Sequence, residues 1–425
     1  MKRATLLKYD IVKNAGKLLS ANLSVQVVAF VVYPFLSRLF TPADFGLLAL
    51  FLGIGDMVSR AGTLSLEEAA LLPKKHKEAF ALAAIGGYST VFFALMLLLF
   101  LLFDRFVITT AEFPASFFLL PVYVLFVGLT QLFSYLFARF RLYKDISFSI
   151  AGAGASNSAL RLLSGFCGLS YAALIISSIL AQLTGLLVYA VQTVKKRMFR
   201  LLHLPSYNKT KKLLKQYRQF PVYVMTRNFL NSLSGNLPYF MLIGIFGNTE
   251  VGLYSMAYVV AFKPVNVFSS SVYQVLFEKF SSLKNNEKPL TPVFLGYLKI
   301  VFLLALPCFL VCGYFAQEIF GFLFGAEWRT SGRYFQIILP WIFMVLLSVP
   351  LSSIALVFSK QRFAFLIDII YLLLRAGALG LGIALANMKT ALALFSISGA
   401  LIMGALLFCY LIWINRYDKN LSLNK

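Results

Sequence analysis

The sequence predicts an all-α polytopic membrane protein, with about 12 transmembrane helices in two six-helix bundles related by a parallel internal repeat. Three observations carry that expectation. The chain of 425 residues is 60% hydrophobic and only 13% charged, with a mean hydropathy of +0.81. Runs of roughly 20 apolar residues recur along it, separated by short polar or basic breaks. Finally, features of the first half return in the second at a common offset of 206 residues.

Each run is long enough to cross a membrane. A helix rises about 1.5 Å per residue, so about 20 residues traverse a hydrocarbon layer of about 30 Å, and a lipid-exposed span must satisfy its own backbone. In chain order the expected spans are 18–37, 46–70, 80–103, 115–138, 147–168, 169–191, 220–246, 252–277, 293–315, 333–358, 363–386 and 390–414. The first is read as a span rather than a cleaved signal. It is long, contains Pro34 and lacks a small-residue cleavage pattern.

Charge sets the expected orientation. With both termini in the cytosol, cytosolic segments hold 28 of the 39 Lys and Arg residues. They include Lys2, Arg3, Lys8, Lys13 and Lys17, and the dense group from Lys195 to Arg218. The opposite loops hold Arg38, Arg105, Arg329, Arg333 and Lys389. This is the positive-inside pattern, and it accounts for much of the net charge of +23 without nucleic acid as a partner. The segment 195–218 reads as a cytosolic linker lying against anionic phospholipid headgroups. The expected domains are therefore 1–194, a six-helix bundle, 195–218, the linker, and 219–425, a second bundle.

The repeat rests on shared spacing. Gly46 and Gly252, Asn22 and Asn228, and Ser65 and Ser271 are all paired by the same offset. Thr41-Pro42-Ala43-Asp44 has a capping hydroxyl, a proline at the first helical position and a first-turn carboxylate; Asn248, Thr249 and Glu250 supply similar chemistry in the second half. Because six spans separate the copies, the halves are expected to point the same way. Pro34 and Pro238 interrupt corresponding helices. Paired interruptions point to a transporter's central site, and ordinary proline kinks have the same appearance; both readings stand.

Ionisable residues inside apolar spans are the candidate functional groups, because each costs about 2.5–3.5 kcal/mol at the bilayer centre unless it faces an interior or a partner. The basic ones are Arg60, Arg161, Arg227, Lys263, Lys299 and Arg375; the acids are Asp56 and Asp368. Asp56 and Arg60 are four apart, and Asp368 and Arg375 seven apart, spacings at which they can neutralise one another. Lys299 lies near a span end, where it can snorkel. Arg161, Arg227 and Lys263 have no local acid, and Pro264 follows Lys263 at a point where a disturbed helix is expected. The basic excess suits an anionic group such as a phosphate or diphosphate. Arg227, Lys263, Arg161 and Arg375 are the substrate-binding candidates, with structural pairing as the other reading. Asp56 and Asp368 are candidates for coupling transport to a proton or sodium ion, or for a salt bridge.

Other chemistries find no support. Cys167, Cys308, Cys312 and Cys409 fall in apolar runs, and His76 and His203 stand alone in basic loops, so neither a metal site nor any cofactor is expected. No GxxxxGK[ST] loop is present, so ATP hydrolysis by this chain is not expected. No paired-carboxylate or nucleophile constellation marks an enzyme.

Against this background the residues resemble a known family. The carriers are Lys13-Asn14, a first span ending in SRLFTPADFG (37–46), SLEEAALLPKK (65–75), LFGAEWRTSGRYFQIILP (323–340) and a later span ending near SKQR (359–362). Together they look like a bacterial polysaccharide repeat-unit flippase of the O-antigen and capsule type. That family lies within the multidrug, oligosaccharidyl-lipid and polysaccharide exporter superfamily. The resemblance implies two six-helix bundles around a cavity that opens alternately to each side of the bacterial inner membrane. It implies an undecaprenyl-diphosphate-linked oligosaccharide as substrate, with polysaccharide assembly proteins as further partners. Three alternatives remain at this level: a small-molecule or multidrug exporter of the same fold, a membrane-embedded polysaccharide polymerase or ligase, and a non-transporting scaffold, for which the sequence offers no positive evidence. The basic excess disfavours the first, and the lack of a large outward loop disfavours the second.

Overall fold

The structure, a computed structural model, describes residues 23–105, 114–198 and 206–423. Lys2, Arg3, Lys8, Lys13, Asn14, Lys17, Asn22 and His203 lie outside the described residues, as does 199–205 of the basic segment. The described residues form helices and no strands. Nine helices among them are long and apolar enough to cross a membrane, as expected of a multi-pass membrane protein. The helix α1 (Leu23–Leu39) is apolar but shorter.

The helix α2 (Pro42–Gly62) starts as the sequence expects. The Thr41 N–H and hydroxyl donate to Asp44 Oδ2 at 2.8 and 2.7 Å. The Asp44 N–H returns a bond to Thr41 Oγ1 at 3.4 Å. This reciprocal box satisfies donors that a helix start leaves orphaned. The other end departs from the expected span 46–70. Leu64 and Ser65 adopt left-handed backbone angles, with φ of 54° and 52°. The chain therefore leaves the helix and re-forms as the short α3 (Leu66–Ala69). The Arg139 guanidinium holds the far side of α3, donating to the carbonyls of Ala70 at 3.1 Å, Leu71 at 2.8 Å and Pro73. A distant arginine thus supplies the C-terminal acceptors' partners, which local hydropathy does not reveal.

Four more long helices follow: α4 (His76–Phe103), α5 (Leu120–Arg139), α6 (Tyr143–Phe166) and α7 (Tyr171–Lys195). The basic α8 (Tyr207–Gln216) comes next. Its Leu213 is buried with Leu66, Phe80, Leu132, Phe137 and Tyr189, while its lysines stay outside that cluster. Lys196, just past α7, pairs with Asp145 at the start of α6.

The long α9 (Met225–Asn285) joins what the sequence presents as two spans. Gly247 interrupts it, with φ 81° and ψ 173°. Positive φ costs glycine little, so one residue performs the break expected over 244–256. At Lys263-Pro264 the helix was expected to be disturbed, yet Gly247 is the one residue of α9 outside helical angles. The remaining elements are α10 (Thr291–Tyr314), α11 (Ala316–Phe324), α12 (Arg329–Ser348), α13 (Ser353–Val357), α14 (Gln361–Ala384) and α15 (Met388–Leu423).

These helices make two compact units. Among the described residues, one comprises 23–40 with Leu47–Asn236, the other Thr41–Gly46 with 237–423. Within the second, α12 is the enclosed helix, packing on α10, α11 and α15. Its core at one end gathers Phe280, Phe294, Leu351, Ile354, Tyr410 and Ile414.

Candidate functional site

Among the described residues each unit buries one arginine inside its helices, and each arginine sits among tyrosines. In the first unit Arg161 projects from α6 and is 7% exposed. Its Nη2 donates to Ser178 Oγ on α7 at 2.8 Å, and the Ser178 hydroxyl passes a bond to the Leu174 carbonyl at 2.9 Å. Tyr33 of α1 and Tyr123 of α5 interact electrostatically with the same guanidinium. The Tyr123 hydroxyl donates to Asp56 Oδ1 at 3.3 Å. A polar line therefore crosses the unit from Asp56 through Tyr123 to Arg161 and Ser178, linking α2, α5, α6 and α7. Arg60, four residues from Asp56, also acts on that carboxylate but is itself exposed. The local pair anticipated from sequence is thus joined by a tertiary partner. The Arg161 Nε is buried without a hydrogen bond.

In the second unit Arg375 of α14 is 1% exposed. Its guanidinium carbon lies 3.6 Å from the Phe395 ring centroid, 4.0 Å from Trp341 and 4.7 Å from Tyr371. Cation–π attraction of about 2 kcal/mol or more in such a desolvated setting offsets part of the cost of burying the charge. The cage is itself held together, because the Trp341 indole N–H donates to the Tyr371 hydroxyl at 2.8 Å. From Trp341 the aromatic wall continues to Tyr258 at 6.1 Å, then to Tyr254 at 6.1 Å and Tyr239 at 5.6 Å. Nε and Nη2 of Arg375 and the Tyr254 hydroxyl are buried with no hydrogen-bond partner. Unsatisfied N–H groups on a buried cation are costly. They fit an anion or a hydroxyl-bearing ligand as acceptor.

The other candidates are placed differently. Arg227 is exposed and Lys263 half-buried, on the arms of α9 before and after Gly247. Both are engaged in interactions of their own. Asp368 is half-buried on α14 and acts on Tyr371, the ring that flanks Arg375. Among the described residues no group of three His, Cys, Asp or Glu could hold a metal ion. The four cysteines are free thiols.

Sequence reasoning missed the partners more than the charges. Tyr371 precedes Arg375 by four residues, a spacing that places both on one helix face, so that contact was findable. Trp341, Phe395, Tyr123 and Ser178 come from other helices and left no local signal. Asn228 was noted only as a repeat position. Its side-chain amide donates to Ser65 Oγ at 3.2 Å and Glu68 Oε1 at 3.1 Å. Beside it, outside the spans, burial pushes the Glu67 carboxyl above the usual carboxylate range.

Comparison with known proteins agrees with this architecture. The profile of the family described as "Polysaccharide biosynthesis protein" matches residues 35–333. The succinoglycan biosynthesis transport protein ExoT of Rhizobium meliloti (strain 1021) is 24% identical over 76% of this chain. The chain spans 64% of that relative's length. An inward-facing multidrug resistance MATE family transporter of the MOP superfamily shares the fold, with a TM-score of 0.73 at 14% identity, over 94% of this chain and 99% of that one. A MOP superfamily transporter from Pyrococcus furiosus aligns with a TM-score of 0.59 at 13% identity, over 96% of each chain. A Vibrio cholerae MATE transporter aligns with a TM-score of 0.59 at 14% identity, over 98% of this chain and 99% of the other. With a profile match over most of its length and helices ordered as in MOP-superfamily transporters, this chain belongs to the polysaccharide biosynthesis protein family.

Proposed function

We propose that the protein is a secondary transporter that flips an undecaprenyl-diphosphate-linked oligosaccharide from the cytosolic to the periplasmic leaflet of the bacterial inner membrane. The observation that carries the reading is the buried Arg375 in its aromatic cage, with two guanidinium nitrogens lacking acceptors. A cation among tyrosines and a tryptophan matches both parts of such a headgroup. The guanidinium suits phosphate oxygens, and flat aromatic faces suit sugar rings. Membership of a polysaccharide biosynthesis family supports the saccharide. The transport role named for the Rhizobium relative supports movement rather than synthesis.

In this reading Arg161 and Arg375 are the interior anion-handling groups, with Arg227 and Lys263 on α9 engaging the diphosphate on its way. Alternating access keeps the diphosphate from crossing bare hydrocarbon, where its charge would be prohibitive. On this reading Asp56, linked to Arg161 through Tyr123, and Asp368, which acts on Tyr371 beside Arg375, couple a proton or sodium ion to the occupancy of each arginine. Both termini and 195–218 face the cytosol, and bundles 1–194 and 219–425 flank that linker. Polysaccharide assembly proteins are the expected neighbours.

The direct test is surface polymer display in cells lacking the gene and complemented with it, normalised to membrane protein abundance. Lipid-linked repeat units should accumulate on the cytosolic leaflet without the protein and be exported with it. Unchanged distribution of those units between leaflets in the two strains sinks the proposal.

A further inference from the structure

We infer that the groove between α10 and α12 is a binding site for the polyprenyl chain of a lipid-linked saccharide. The inference rests on the transport function proposed above and adds a site for the part of the substrate that the arginines do not handle.

The two helices are tied near both ends and leave shallow recesses along the length between, on either side of the Phe343 contact. Near one end the Tyr297 hydroxyl of α10 donates to the Leu346 carbonyl of α12 at 2.8 Å. Near the other, Gln336 Nε2 of α12 donates to the Gly313 carbonyl of α10 at 2.7 Å, and Gln317 Nε2 donates to Gln336 Oε1 at 3.2 Å. Between these ties lie two recesses of about 520 and 510 Å³. Leu295, Leu298, Phe302 and Leu303 of α10, Leu347 of α12 and Leu407 of α15 wall the first; Leu306, Phe309, Leu310, Leu339, Pro340 and Phe343 wall the second. Phe343 stands at their junction, with its ring centroid 5.8 Å from Phe302 and 5.2 Å from Phe309. The recesses are thus successive chambers of one groove with a phenylalanine sill.

Length selects the occupant. The lining of α10 runs from Leu295 to Tyr314, about 28 Å at about 1.5 Å per residue, close to the full hydrocarbon thickness of about 30 Å. A phospholipid acyl chain stops near the midplane, about 15 Å in, and fills one chamber. A long polyprenyl chain can follow both. Its methyl branches offer small protrusions to recesses bounded by leucines and phenylalanines. Lys299 lines the first chamber and is its single charged residue. Its flexible stem can carry the ammonium to the near interface, where a polyprenyl phosphate presents its anion.

The test uses the full chain in phosphatidylcholine nanodiscs, with Cys167, Cys308, Cys312 and Cys409 replaced by Ala. A benzophenone is attached at Leu303→Cys or Leu310→Cys, one in each chamber, or at Leu304→Cys, exposed on the same helix outside the lining. The probe is radiolabelled undecaprenyl phosphate. Photolabelling should be several-fold higher from positions 303 and 310 than from 304, displaced by unlabelled undecaprenyl phosphate and not by phosphatidylglycerol. Equal labelling from all three, or displacement by phosphatidylglycerol, would mean ordinary annular lipid and overturns the inference. Leu306→Trp, filling the second chamber, should lower labelling at Leu310→Cys and lower export together. Loss of labelling with wild-type export overturns the groove as a substrate site while leaving the flippase standing. Labelling that persists in a protein that moves no lipid-linked saccharide overturns the flippase and leaves the polyprenyl site.

Discussion

Gly46 and Gly252 meet other helix starts in reciprocal fashion. A Cβ on Gly46 would lie 2.0 Å from the Asn248 carbonyl oxygen, and one on Gly252 would lie 1.7 Å from that of Pro42. Asn248 follows Pro42 by 206 residues, just as Gly252 follows Gly46. Reciprocal contact of this kind is what a local two-fold relation between two similar segments produces. The start of α2 and the arm of α9 beyond Gly247 cross backbone against backbone, and only glycine leaves room at either place.

Substitution at these glycines should therefore be costly. Gly46→Ala and Gly252→Ala should each destabilise by about 1–3 kcal/mol or more, the range for forced overpacking. Gly296→Ala, where nothing lies within 4 Å of the added carbon, should be neutral or stabilise by about 0.5–1 kcal/mol through helix propensity. Thermal melting of the purified proteins in one detergent compares them. Equal melting temperatures for Gly252→Ala and Gly296→Ala would show that the crossing is not tight.

Arg375 separates packing from charge. Arg375→Met keeps a long side chain against Trp341 and Phe395 while removing a buried cation, a change that is often neutral or stabilising. Arg375→Ala leaves a cavity and should cost about 2–5 kcal/mol. The Met variant should thus melt near wild type while export fails, and the Ala variant should lose both. Wild-type export by a stable Arg375→Met variant removes this residue from anion handling.

Arg227 and Lys263 are expected to act by charge. Arg227→Ala and Lys263→Ala should reduce surface polymer display, and Arg227→Glu and Lys263→Glu should reduce it further because the new carboxylate repels a diphosphate. Arg227→Lys should be milder if point charge matters more than bidentate geometry. Quantification is per unit of inserted protein. Normal export by both Glu variants assigns these residues to packing or interhelical contacts.

Topology follows from the Lys and Arg asymmetry. A reporter fused after Lys209, on the basic α8, should be active only in its cytosolic form. One fused after Gly325, between α11 and α12, should be active only in its periplasmic form. Periplasmic activity at Lys209 or cytosolic activity at Gly325 contradicts the orientation.

Much of this protein is written locally in its sequence. Apolar runs of about 20 residues compel membrane-spanning helices, because hydrocarbon offers backbone groups no other partner. Thr41, Pro42 and Asp44 set the start of α2 through bonds reaching three residues, and the common offset of 206 residues singled out Gly46 and Gly252 without showing that they meet. The buried charges Arg161 and Arg375 were visible as exceptions within apolar runs. What surrounds them was not. Three rings face Arg375, and two of them, Trp341 and Phe395, belong to other helices, while Asp56 reaches Arg161 by way of Tyr123 on α5. The end of the second span was misplaced because the chain leaves α2 at the left-handed Leu64 and Ser65, and the turn beyond α3 is held by Arg139, some seventy residues on. Hydropathy and capping act over a few residues and can be read from them. The partner of a buried charge is chosen by how helices distant in sequence pack, and only the tertiary structure decided that.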